Sequence, residues 1–152
     1  MNHLHVDRLL ERVAIDEGKV LNDQGKHVVY KDHLGYETVG YGKLVSPDVA
    51  GGGLTEEEAM FLLENTLREF WVELEEAIPW ITDKPEEVQE ALLNQAYNLG
   101  IPNLMKFKNM LKCIEEDNGQ GAYVNALDSK WADQVGSRAT RIAEVYRDYL
   151  QD

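Results

Sequence analysis

The stretch Val28-Val29-Tyr30-Lys31-Asp32-His33-Leu34-Gly35-Tyr36-Glu37-Thr38-Val39-Gly40-Tyr41-Gly42 mixes β-branched and aromatic residues with turn formers. Val28-Val29-Tyr30 has the composition of a short strand, Gly35-Tyr36 marks a turn, and Thr38-Val39-Gly40-Tyr41 reads as a further strand. Just upstream, Val20-Leu21 reads as a strand and Asn22-Asp23-Gln24-Gly25 as its turn. Six glycines fall between Gly35 and Gly53, and Gly51-Gly52-Gly53 suits a flexible joint. A small antiparallel sheet over about 18–53 is therefore expected.

On both sides of this region the periodicity is helical. Val6, Leu9, Leu10, Val13 and Ala14 recur at three- and four-residue steps and make one apolar stripe, stopped by Gly18. Downstream, Thr55-Glu56-Glu57-Glu58 is a capping box, in which the hydroxyl caps and Glu58 reaches back. Ala59, Leu62, Leu63, Leu67, Phe70, Trp71 and Leu74 continue as one long apolar face, which Pro79 closes. Pro85-Glu86-Glu87 opens another helix, running to Gly100. Phe107, Met110, Leu111 and Ile114 mark a third helix, and shorter ones are expected over 123–127 and 138–149. The class predicted is α+β, in one domain over 1–152: a sheet lobe over about 18–53, a helical lobe of 1–17 with 79–152, and a helix over about 55–78 between them. A cleft between the lobes is the natural place for a ligand.

Composition narrows the function classes. A formal net charge of −13 argues against nucleic-acid binding, which needs a basic footprint. The single cysteine, Cys113, allows no intrachain disulfide and reads as a small buried thiol on a helix. No apolar run approaches the roughly 20 residues of a membrane span. The charged, amphipathic segment Met1 to Val13 lacks the apolar core and cleavage site of a signal peptide, so a cytoplasmic monomer is expected. His3, His5, His27 and His33 are scattered and read as solvated, with no ligand set for a metal and no cofactor motif. Of the tryptophans, Trp71 reads as core and Trp80 as half-exposed. Trp131, before a polar stretch, is the best candidate for a sugar-facing wall, although core packing suits it too.

Glu17 continues the stripe of Leu10 and Val13, so a carboxyl falls on the apolar face of the first helix, at its last residue. Desolvation and the negative end of the helix dipole both disfavour its charged form, as a general acid requires. An exposed, frayed helix end fits the same pattern. Asp32 lies just beyond a strand, where an ordinary turn aspartate would also sit, and Thr38 lies in the following strand. Two carboxyls, one on a helix end and one on a hairpin, are the minimum kit for glycoside hydrolysis: one protonates the leaving oxygen, and the other activates water or stabilises the cationic sugar.

Asp16-Glu17-Gly18, Tyr30-Lys31-Asp32, Gly35-Tyr36 and Thr38-Val39-Gly40-Tyr41-Gly42 together resemble the catalytic region of the bacteriophage lysozymes, glycoside hydrolase family 24. Leu54-Thr55 with Glu58-Ala59, Leu93 with Ala96-Tyr97-Asn98 and Gly100, and Trp131 followed by Arg138-Ala139 and Arg141-Ile142 extend the likeness in order along nearly the whole chain. The resemblance implies a lysozyme-like fold. It also implies cleavage of the β-1,4 bond between N-acetylmuramic acid and N-acetylglucosamine in peptidoglycan, with inversion and for host lysis. It gives Glu17 the part of general acid, Asp32 that of second carboxylate, and Thr38 that of a holder of the catalytic water. Asn98 then lines the saccharide site, where Trp131 is the candidate wall by its own position, and Arg138 pairs with the acid. The enzyme would accumulate in the host cytoplasm and reach the wall through a separate membrane-permeabilising protein. A virion-associated wall hydrolase and a catalytically silent glycan-binding relative are the alternatives. Two departures stand out: an enlarged hairpin tip at 22–27, and Lys43 where the family often has a structural, ion-paired histidine.

Overall fold

A computed structural model describes residues 6–19, 21, 23, 26, 27, 30, 31, 37–39, 43, 44 and 54–151; over 30–44 the description is of the backbone. The elements are α1 (Val6–Glu17), β1 (Tyr30–Lys31), β2 (Glu37–Val39), β3 (Lys43–Leu44), α2 (Glu56–Ala77), a 3-10 helix (Pro79–Asp83), α3 (Glu86–Leu99), α4 (Ile101–Leu104), α5 (Lys108–Glu115), α6 (Gly119–Leu127), α7 (Lys130–Val135) and α8 (Ser137–Tyr149). The chain divides into two compact units, Met1–Glu69 and Phe70–Asp152, with the boundary inside α2.

The expected α+β class, with a β-sheet lobe over about 18–53, is overturned. Among the described residues the protein is predominantly helical, and its only ladder is the antiparallel β1-β2-β3, with strands of two, three and two residues. Strands this short carry too few pairs to bury a face of their own, so they make no lobe. The register sets Tyr30 opposite Thr38 and Lys31 opposite Glu37, then Thr38 opposite Leu44 and Val39 opposite Lys43. Leu21, expected in a strand, makes an isolated antiparallel bridge to His27 among the described residues.

In the first unit Leu9, Leu10, Val13 and Ala14 are buried, as the stripe on α1 requires. The helix ends in Gly18, at φ 71°, whose N–H donates to Ala14 O at 3.0 Å. A side chain at that positive φ would be strained, which is why the stop falls at a glycine. The capping box forms as read. Glu58 N–H donates to Thr55 Oγ1, and Thr55 N–H to Glu58 Oε1, each at 3.1 Å. Those bonds from Thr55, backbone first and then side chain, hold the Glu58 carboxyl below its usual range.

In the second unit α3 is the central helix, with Val88 and a continuous buried run from Ala91 to Ala96. It ends at Gly100, at φ 84°, whose N–H donates to Ala96 O at 2.7 Å. Polar side chains also lie within this core, among them Gln89, Asn94, Gln95 and Arg138. Tyr146 of α8 donates its hydroxyl to Gln95 Oε1 at 2.7 Å, and both side chains are fully buried. Burial pushes the Tyr146 phenol well above the ordinary tyrosine range. Trp71 is core and Trp80 is half-buried with the Lys84 ammonium over its ring. Cys113 corrects the sequence reading: it is half-buried rather than buried, with the side-chain amides of Asn118 and Asn125 near its sulfur.

Candidate active site

In the first unit, Glu17 is the last residue of α1 and is half-buried. One residue earlier, Asp16 accepts from Arg12 Nη2 at 3.2 Å across one helical turn, an ion pair in which the guanidinium is partly exposed and the carboxylate nearly buried. Past Gly18 the chain reaches Lys19, whose ammonium lies 3.6 Å from Glu56 Oε2 at the start of α2. The same carboxylate oxygen lies 2.9 Å from His27 Nε2. A carboxylate only accepts, so the imidazole Nε2–H is the donor.

His27 was expected at a solvated hairpin tip; it is instead fully buried. Its backbone bridges Leu21 on one side and Leu54 on the other, exchanging both N–H and C=O with Leu54. The tip therefore closes at Leu21 and His27, three residues before β1 begins. Nothing in the composition of residues 22–27 signals this, because the partners that bury His27 include Leu54 and Glu56, far along the chain. Asp32 and His33 lie outside the described residues, as do His3 and His5. Thr38 is in the central strand, directly opposite Tyr30, two positions before Asp32 in sequence. Lys43 is in β3, opposite Val39.

In the second unit, three candidates from separate parts of the sequence meet around α3. Asn98 accepts from the Trp131 indole N–H at 2.6 Å. One turn earlier on the same helix face, Asn94 Oδ1 accepts from both Nε and Nη2 of Arg138, at 3.1 and 2.6 Å. Trp131 is buried at 4% exposure, on α7 rather than before an irregular loop, and meets the Phe107 ring edge-on at 6.1 Å. Arg138 is buried too. Asn94 was not singled out from the sequence, although its place four residues before Asn98 was a usable signal. A cleft of about 470 Å³ opens in this unit, lined by Lys106, Phe107, Lys108, Asn109, Asn125 and the carboxyl-bearing Asp128 among others.

Asn94, Asn98, Trp131 and Arg138 offer two neutral amides, an indole and one permanent cation. They can orient acetamido, hydroxyl and carboxylate groups, but none of them gives and takes a proton near neutrality. That part needs a carboxyl, for which Glu17 and Asp32 of the first unit are the candidates.

The family model described as phage lysozyme matches residues 23–144. The chain is 26% identical over 171 residues to the pre-baseplate central spike protein Gp5 of Enterobacteria phage T4, covering 91% of this chain and 30% of that protein. It is 24% identical over 169 residues to probable T4-type lysozyme 2 of Dictyostelium discoideum, covering 93% of this chain and 94% of that one. With probable T4-type lysozyme 1 of the same organism it shares 23% identity over 168 residues, covering 92% and 94%.

Proposed function

The chain belongs to the phage lysozyme family, and from that premise we propose that it hydrolyses the glycan strands of bacterial peptidoglycan at the β-1,4 bond between N-acetylmuramic acid and N-acetylglucosamine. The observation that carries this reading is the family match across residues 23–144. Two relatives of nearly the same span, named as T4-type lysozymes, support it.

In this reading the residues divide the work as follows. Glu17 protonates the glycosidic oxygen as the bond breaks. Asp32, with Thr38, orients the water that attacks the opposite face of the sugar, so the anomeric configuration inverts. Asn98 presents its amide to the saccharide and is held by the Trp131 indole N–H, which is how the buried Trp131 contributes. Arg138 is clamped by Asn94 within the second unit, and the family resemblance gives it the part of the acid's cationic partner. No cofactor enters this chemistry. The whole chain acts as a monomeric lysozyme domain on peptidoglycan, with no nucleic-acid partner. No helix among the described residues is long and apolar enough to cross a membrane; release from the host cytoplasm through a separate permeabilising protein is what the family resemblance implies.

A second reading, a virion-associated wall hydrolase, is favoured by the likeness to the T4 spike protein, of which this chain spans 30%. Both readings are tested first by the chemistry of the product. Purified walls incubated with the protein should release new reducing sugar ends and no new free amino groups. Release of amino groups without reducing ends would assign cleavage to the peptides and refute the glycosidase reading.

A further inference from the structure

We propose that Glu56 is a positioning residue for the hydrolytic pair. The proposal rests on the reading of Glu17 and Asp32 given above. One carboxylate oxygen of Glu56 receives Nε2–H of the buried His27 at 2.9 Å and lies 3.6 Å from the Lys19 ammonium. Lys19 follows Glu17 by two residues, just past the turn at Gly18. His27 opens the segment that runs through β1 to Asp32. A single side chain therefore grips both arms of chain that carry the proposed carboxyls.

The anchor itself is firm. Glu56 is the first residue of a 22-residue helix whose start is closed by the reciprocal Thr55–Glu58 cap. Leu54, two residues earlier, pairs its backbone with His27 in both directions. The hairpin base is thus held by backbone bonds, and Glu56 adds the side-chain bond that fixes the imidazole. The two grips differ in strength. Lys19 and Glu56 are both about half exposed, so their attraction is screened and worth little by itself. The His27 bond is the stronger constraint, because its donor is fully buried and has no access to solvent water. Register in an antiparallel ladder sets which face a side chain takes, so the residue that pins His27 guards the register of β1, which follows it, and through that the geometry of the site.

The test uses the full chain and soluble peptidoglycan fragments, with kcat and KM measured separately. Glu56→Ala should lower kcat roughly 10- to 100-fold with KM nearly unchanged, because misplacement of about 1 Å can cost on the order of 10²-fold. Glu56→Gln keeps an oxygen for the His27 N–H and should recover most of the lost rate. Glu57→Ala removes the same charge from the same helix end without touching His27 and should match the parent. Parental kcat in Glu56→Ala, an equal fall in Glu57→Ala, or a raised KM with unchanged kcat would each overturn the proposal. A parent without activity, or a Glu17→Gln variant as fast as the parent, removes the hydrolytic reading and this proposal with it. An active parent with a parental Glu56→Ala removes the proposal alone.

Discussion

Replacing Tyr146 by Phe tests how the core of the second unit is held. The hydroxyl donates to Gln95 Oε1 at 2.7 Å with both side chains fully buried, and Gln95 Nε2 has the Met110 sulfur, a weak acceptor, at 3.6 Å. Tyr146→Phe leaves the Gln95 oxygen without that donor, which costs about 1–3 kcal/mol. Gln95→Met keeps a similar shape but strands the hydroxyl, at a similar cost of about 1–3 kcal/mol. The double variant removes both polar groups and should return to within about 1 kcal/mol of the parent, since replacing both partners by apolar groups is nearly neutral. Urea unfolding followed by tryptophan fluorescence measures all four corners of the cycle. There is also a pH signature. Burial raises the Tyr146 phenol in the folded state, so its contribution is complete below the unfolded tyrosine range and is lost as pH climbs from there toward the folded value. The parent should lose stability above about pH 10 more steeply than the double variant. Single-variant losses that simply add in the double variant, or parallel alkaline curves, would refute the reasoning.

Thr55→Ala should destabilise the protein by about 1 kcal/mol at neutral pH, the usual loss for a cap, as read by thermal melting. The backbone N–H of residue 55, the larger of the two causes that hold the Glu58 carboxyl low, survives the substitution, so most of the stability that is present above the ordinary carboxylate range and fades as pH falls through the lower folded value is common to both proteins; the gap between parent and variant should persist into acid, and its disappearance there would count against this. With a formal net charge of −13, the protein meets like charge on peptidoglycan's peptide carboxylates. Initial lysis of purified walls should therefore rise with moderate sodium chloride, which screens charges beyond about 8–10 Å; a monotonic decline would count against this. Proton NMR of the first products from a defined glycan should show the α-anomer before mutarotation, whereas a β-anomer or a trapped glycosyl-enzyme on Asp32 would oppose inversion.

Local chemistry was legible in the sequence, and long-range pairing was not. The Thr55–Glu58 box, the stripe ending at Gly18 and the stop at Gly100 each depend on residues within one or two turns, and each forms as read. The β-branched run around Tyr30 suggested a sheet lobe, but ladder length depends on partners, and among the described residues the strands hold two or three residues each. The helices α4 and α7 were missed because four and six residues give no periodicity to detect. The same limit applies to the site. The family likeness singled out Asn98, Trp131 and Arg138, but the indole–amide bond and the Asn94 clamp join residues 33 and 44 positions apart. His27 looked solvated because the residues that bury and bind it include Leu54 and Glu56, which its own neighbourhood does not reveal.

The central claim is that Glu17 is the proton donor of a peptidoglycan glycosidase. The most direct measurement is the initial clearing rate of purified walls by Glu17→Gln beside the parent at equal folded concentration, with folding checked by circular dichroism. The amide keeps the shape of the carboxyl and has no proton to give the leaving oxygen. The account predicts an active parent and a folded variant slower by at least about 10²-fold, the lower end for loss of a general acid. A folded Glu17→Gln that clears walls at close to the parental rate would contradict it.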